Sequence, residues 1–155
     1  MRSIPKTAAW IAGAVLTMAL PGCGGGGGSS PTGPTSQPTT QVLPTQNFSN
    51  LQPLTAVGAD FNISASSVTA EFEANWTFAS NDIDIFVTST ACSTSSYVTL
   101  FNQTGGCASL ARGTSTSRPE RTSVALSPGT YRAYVGSSAL STSAESGTLV
   151  ITLRQ

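Results

Sequence analysis

The feature that most constrains the fold is a strict alternation of apolar or small residues with polar residues between Val68 and Phe78. Successive side chains of a β-strand point to opposite faces, so a period of two gathers the apolar residues on one side. A helix would scatter the same residues around its surface. The pattern therefore predicts a half-buried strand. Its predicted inward set is Val68, Ala70, Phe72, Ala74, Trp76 and Phe78.

The same alternation recurs in short segments separated by Ser, Gly, Asn and Pro clusters. It predicts further strands at Asp82–Val87, Tyr97–Phe101 (Val98 and Leu100 inward), Ser123–Leu126, Tyr131–Val135 and Leu149–Leu153, with an upstream pair at Leu54–Val57 and Asp60–Ile63. No stretch has a convincing helical period. We expect an all-β fold, an antiparallel β-sandwich of about eight strands.

The N-terminal segment predicts export. A short positive region, Met1 to Lys6, precedes an apolar run from Ala8 to Leu20, which falls short of the roughly twenty residues that span a bilayer. Residues 1–22 are therefore predicted to be a signal peptide. The stretch Leu20-Pro21-Gly22-Cys23 resembles the lipobox of bacterial lipoproteins, with Pro21 where Ala or Ser is usual. The resemblance implies cleavage before Cys23 and lipidation of its thiol; the alternative is conventional cleavage nearby, with Cys23 an incidental thiol.

Residues 23–46 are predicted to form the lipidated cysteine and a disordered linker, because this Gly, Ser, Pro, Thr and Gln run has too few apolar residues to bury a core. The folded domain is predicted at residues 47–155. Gly24 after the cysteine resembles the default sorting pattern of Gram-negative lipoproteins, which implies an outer-membrane location in the bacterial cell envelope.

Composition excludes several functions. Five arginines and seven carboxylates follow Cys23, and a net charge of −2 argues against a nucleic-acid partner. The chain has no histidine, and its only lysine is Lys6, so the mature chain lacks the commonest general base, the commonest metal ligand and any lysine for Schiff-base chemistry. We therefore expect a protein that is not an enzyme. Cys92 and Cys107 are expected to form a disulfide in an exported chain.

Several motifs together resemble the bacterial pre-peptidase C-terminal domain family. They are Trp76 followed by Asn81 to Val87, the cysteine pair, Arg118-Pro119-Glu120, and Ser127-Pro128-Gly129-Thr130-Tyr131 with the strand after it. The resemblance spans most of Val68 to Leu153. It implies a jelly-roll-like sandwich that acts as a non-catalytic module, some members of which bind calcium or substrate polymers.

Two candidate sites follow from these patterns. Asp82 and Asp84 alternate with inward isoleucines and share the outward face, so they are candidate Ca²⁺ ligands with Asp60 as a third; the simpler alternative is a polar turn that begins a strand. If this strand forms a tight hairpin with the Trp76 strand, Glu71 and Glu73 lie at its far end and no four-carboxylate cage forms.

Aromatic residues suggest the second site. Trp76 and Tyr131 fall on inward positions, whereas Tyr97, Phe101 and Tyr134 fall on outward positions and could stack on a sugar. The leading hypothesis is a lipid-tethered, non-catalytic envelope protein whose domain binds or stabilises a partner protein or polysaccharide. The alternative is a carbohydrate-binding module built on these three aromatic residues.

Overall fold

A computed structural model describes residues 39–64 and 66–155. The predicted signal peptide, Cys23 and most of the predicted linker lie outside these residues. Within the described ranges, no helix has the length and apolar character needed to cross a membrane. In chain order the described elements are β1 (Thr40–Val42), β2 (Gln46–Leu51), β3 (Ala56–Ile63), β4 (Val68–Trp76), β5 (Ile83–Ser89), α1 (Tyr97–Phe101), β6 (Ser109–Gly113), β7 (Glu120–Leu126), β8 (Gly129–Ser137) and β9 (Glu145–Arg154).

The strands form two antiparallel sheets. The first contains β1, β9, β4 and β7 in that order, with β2 also paired to β9. The second contains β3, β8, β5 and β6 in that order. The predicted all-β antiparallel sandwich is confirmed, with nine strands in the described residues in place of about eight.

The main core lies between the two sheets and follows the alternation in the sequence. Strand β4 contributes Phe72, which is paired in register with Ile151 of β9, and β5 contributes Ile83, Ile85 and Val87 from the opposite sheet. Each of these side chains is buried. Because one-residue slips would turn every apolar side chain outward, this core fixes the register of the strands.

Strands β4 and β5 do not form a tight hairpin, the arrangement considered for the placement of Glu71 and Glu73, because the two strands belong to different sheets. The indole Nε1 of Trp76 donates to the carbonyl of Asn81 at 3.1 Å, and the backbone N–H groups of Thr77 and Phe78 donate to the Glu145 carboxylate. These bonds hold the connecting loop at the end of the sandwich. Phe78, predicted to point inward, is consequently 53% exposed.

Two predicted boundaries are also wrong. The upstream strand pair is one strand, β3, which keeps continuous register with β8 from Ala56 to Ile63. Strand β1 lies inside the segment predicted as linker and pairs with β9. The folded domain therefore begins before Asn47, because β9 offers an edge long enough to pair with both β1 and β2.

Residues Tyr97–Phe101, predicted as a strand, form the helix α1. The Ser96 hydroxyl caps the helix by accepting a hydrogen bond from the N–H of Thr99. Tyr97 and Leu100, three residues apart, are buried on one helical face, whereas Val98 is exposed. The buried side chains of this segment are therefore three residues apart, as in a helix, and not two apart, as in a strand.

Candidate functional site

A second apolar cluster covers the outer face of the β3-β8-β5-β6 sheet. Its buried members are Ala56, Phe86, Cys92, Tyr97, Leu100, Cys107 and Tyr134. Cys92 and Cys107 are joined by a disulfide, as predicted. The cluster places α1 and the loops around it against a sheet face that would otherwise be open to water. Gly136 makes this approach feasible, because a Cβ there would lie 2.9 Å from Tyr97 Cδ2.

Removing the disulfide tests how much this covering layer contributes. The bond closes a loop with a sequence separation of 15 residues, and the chain-entropy model assigns a loop of this length about 2 to 3 kcal/mol. We expect Cys92→Ser with Cys107→Ser to lower the free energy of unfolding by that amount in urea denaturation. An equal free energy for variant and parent would show that the bond does not stabilise the fold.

An open groove of about 410 Å³ runs along α1 beside this cluster. We call it the α1 groove. Its lining residues come from five separate segments, which include α1 and the start of β5: Leu54, Asp82, Asp84, Tyr97, Val98, Phe101, Thr114, Thr116, Ser138, Ala139 and Leu140.

Asp84 is the most unusual residue of the α1 groove. It is 2% exposed, and its Oδ2 accepts a hydrogen bond of 2.5 Å from the Tyr97 hydroxyl. Burial raises the pKa of Asp84 to about 7, with a further contribution from the Asp82 carboxylate; the Tyr97 hydrogen bond opposes this rise. Burial and the Asp84 hydrogen bond also raise the pKa of Tyr97. Tyr97 therefore stays a hydrogen-bond donor, while Asp84 changes charge near neutral pH.

One oxygen of each groove carboxylate has no hydrogen-bond partner in the described structure. Asp82 Oδ2 accepts from the Ser138 hydroxyl at 2.7 Å, and Asp84 Oδ2 accepts from Tyr97. The Oδ1 atoms of Asp82 and Asp84 are buried and unpartnered. Buried polar atoms in native proteins are nearly always satisfied, so two orphaned acceptors on one strand face require an explanation.

The structure does not bring Asp60 to these two carboxylates. Asp60 lies opposite Arg132, and its two oxygens accept from Arg132 Nε and Nη2 at 2.5 and 2.9 Å. This bidentate hydrogen bonding lowers the pKa of Asp60. In the paired strands, Asp60 is four residues further along the sheet than Asp84, or ~13 Å. Asp60 as a third calcium ligand is therefore wrong, and no cluster of three metal-binding acidic, Cys or His residues occurs in residues 39–64 and 66–155.

The predicted aromatic face of Tyr97, Phe101 and Tyr134 is also wrong. Tyr134 lies on the outer sheet face as predicted, but the disulfide loop covers it and its hydroxyl donates to the Cys92 carbonyl at 2.9 Å. Tyr97 is the first residue of α1, and its side chain is buried beneath the helix. Its ring stacks on the ring of Phe101 with centroids 5.6 Å apart. Of the three rings, only that of Phe101 is exposed, at 46%.

Sequence reasoning missed two parts of this region. Ser138 and Leu140 follow β8 and complete the α1 groove, although no alternation marks them. Glu145, 1% exposed, begins β9 and accepts hydrogen bonds from four N–H groups. Burial favours a higher pKa for Glu145, but these hydrogen bonds outweigh it and lower the pKa. The sequence signal that could have identified Glu145 is an acidic residue just before an alternating strand.

No protein-family model matches the chain, and no curated protein sequence is similar to it. Among solved structures, the chain is similar to the pre-peptidase C-terminal domain of a collagenase from Bacillus anthracis, seen in a 1.0 Å crystal structure. The sequences are 13% identical, and the alignment covers 71% of this chain and 87% of that domain with a TM-score of 0.45. A similarity of this size does not assign the chain to a family.

Proposed function

We propose that this chain is a lipid-anchored, extracytoplasmic, non-catalytic module of the bacterial cell envelope that binds a partner through the α1 groove. The observation that carries the binding role is Asp84, a side chain buried at the floor of an open groove with one oxygen unpartnered. Natural proteins tolerate such destabilising polar groups mainly where function requires them. The absence of histidine from the chain favours a binding role over acid–base catalysis.

The anchoring part of the proposal rests on the leader sequence and on Cys23. Two or more acyl chains on one cysteine give stable membrane attachment, because each buried methylene contributes about 0.8 kcal/mol. The Gly- and Ser-rich stretch after Cys23 supplies a spacer between such an anchor and β1. In this proposal the lipid decides where the domain acts, and the α1 groove decides what it binds.

Changing Cys23 to serine tests the anchor. We expect the parent chain to fractionate with membranes and to incorporate a palmitate analogue, and Cys23→Ser to lose the label and to be retained only through its uncleaved leader. Cys92→Ser with Cys107→Ser is the matched control, because it removes the two cysteines outside the lipobox without leaving an unpaired thiol. An unlabelled parent chain would contradict lipidation, as would labelling that persists in Cys23→Ser.

A carbohydrate-binding module is the second candidate. Its sugar site would use one exposed aromatic ring instead of the three that the sequence suggested. Phe101 is exposed and lies at the rim of the α1 groove, so a single sugar ring could stack there beside the hydroxyl groups of Thr114 and Thr116. This candidate uses the same groove as the leading proposal. The two differ in the residue that carries the argument, which is Phe101 at the rim for a sugar and Asp84 at the floor for the leading proposal.

A further inference from the structure

The floor of the α1 groove carries negative charge that the described part of the chain does not neutralise. Neither Asp82 nor Asp84 belongs to any of the three ion pairs found there. Arg112 is the cation that acts on Asp84 electrostatically, but its guanidinium donates to the carbonyl of Phe101. Buried carboxylates are normally paired, so the groove is complementary to a cation supplied from outside.

The arrangement of the free oxygens favours an ammonium group over a guanidinium group. Asp60 shows what guanidinium recognition requires in this domain, because it offers both oxygens of one carboxylate to Arg132. Asp82 and Asp84 each offer a single oxygen, since Ser138 and Tyr97 occupy the other one. An ammonium group is a compact charge with three independent donors, and it suits acceptors that belong to different residues.

The rim of the α1 groove indicates that this cation is attached to an apolar chain. Four apolar side chains surround the carboxylates and are 44 to 64% exposed: Leu54, Val98, Phe101 and Leu140. The methylene stem of a lysine would remove part of this surface from water while its ammonium group reached the floor. A bare metal ion would leave the rim exposed, and Ca²⁺ requires six to eight oxygens where the two carboxylates offer two free ones.

We propose that the α1 groove binds the side chain of a lysine presented by a partner polypeptide, with Asp82 Oδ1 and Asp84 Oδ1 accepting hydrogen bonds from the ammonium group. This inference rests on the proposed binding function of the same groove and names its ligand. The hydroxyl groups of Thr114, Thr116 and Ser138, which also line the groove, provide acceptors for the third N–H.

Binding of this kind is coupled to the ionisation of Asp84. The groups that act on Asp84 are the carboxylates of Asp82 and Glu120, the guanidinium of Arg112 and the hydroxyl of Tyr97. With the pKa of Asp84 at about 7, the ionised fraction rises about tenfold between about pH 6 and pH 8. Affinity for the ammonium group is expected to rise with it, and binding near pH 7 releases a proton.

Titration of the purified full-length chain with Nα-acetyl-lysine N-methylamide tests the inference, read from the NMR signals of the Leu54, Val98 and Leu140 methyl groups. We expect saturable shifts, and binding about tenfold weaker in Asp84→Asn because a charged hydrogen bond is lost. Asp60→Asn is the matched control and should bind within about twofold of the parent. The arginine analogue should bind more weakly, and the uncharged norleucine analogue should leave the signals unchanged.

The other outcomes separate this inference from the proposed function. Equal shifts with norleucine, or undiminished binding in Asp84→Asn, would overturn the lysine site. Saturable groove shifts with N-acetylglucosamine or Ca²⁺, but none with the lysine analogue, would overturn the lysine site and leave the groove as a binding site. A groove that responds to none of these probes would contradict both proposals.

Discussion

Replacing Glu145 with alanine is expected to lower the free energy of unfolding by about 4 kcal/mol. Glu145 Oε1 accepts hydrogen bonds from the backbone N–H groups of Thr77 and Ser146 at 3.1 and 2.8 Å. Its Oε2 accepts from the N–H of Phe78 and from Asn81 Nδ2 at 2.9 and 3.1 Å. The substitution leaves the buried Asn81 amide and three partly buried backbone N–H groups without their acceptor, and each orphaned donor is costly.

Urea denaturation of parent and variant at neutral pH measures this effect. Glu73→Ala is the matched control, because Glu73 is a partly exposed carboxylate whose partner is Arg121 on the neighbouring strand. Surface ion pairs contribute at most about 1 kcal/mol, so the control should change stability little. Equal losses in the two variants would mean that the carboxylate of Glu145 does not hold the β4–β5 connection.

Replacing Asp84 with asparagine is expected to raise the free energy of unfolding at about pH 8 by about 3 kcal/mol. The pKa of Asp84 is about 7 in the folded chain, against an ordinary value of 3.8. The folded state therefore binds this proton more tightly than the unfolded state. The resulting stability is fully present below about pH 4 and is lost as pH rises to about 7. The whole shift in the pKa of Asp84 corresponds to about 4 kcal/mol. We expect about 3 kcal/mol because the groove admits water, which weakens the effect.

Denaturation at about pH 5, pH 6 and pH 8 separates this effect from a general change in packing. The parent should lose stability over this interval, whereas Asp84→Asn should lose much less. Asp60→Asn is the control, because the pKa of Asp60 is lowered and its contribution disappears only on the acid side. If Asp84→Asn keeps the slope of the parent, the pKa of Asp84 does not control stability in this range.

The sequence was informative wherever burial alone decides the structure. Alternation in β4, β8 and β9 correctly predicted which residues form the core between the sheets. It did so because each of these strands has one face against the opposite sheet, and a period of two records that directly. The disulfide could be predicted from the two cysteines left after the lipobox, since export permits their oxidation.

The α1 groove could not be predicted in the same way, because it depends on a layer that lies outside the sandwich. Tyr134 does lie on the outer face that its position in β8 indicates, but alternation cannot show that a loop covers this face. The Ser96 cap and the spacing between Tyr97 and Leu100 did signal a helix. Five residues gave too short a window to outweigh the apparent alternation of Val98 and Leu100.

The disulfide lies in only one of the two apolar clusters of the domain. The bridge ties together the loop cluster that supports α1, and neither cysteine belongs to the cluster between the sheets. A molecule whose thiols stayed reduced would keep its inter-sheet packing while the support of the groove loosened. Under the proposed extracytoplasmic location, recognition through the α1 groove would depend on the oxidation of Cys92 and Cys107.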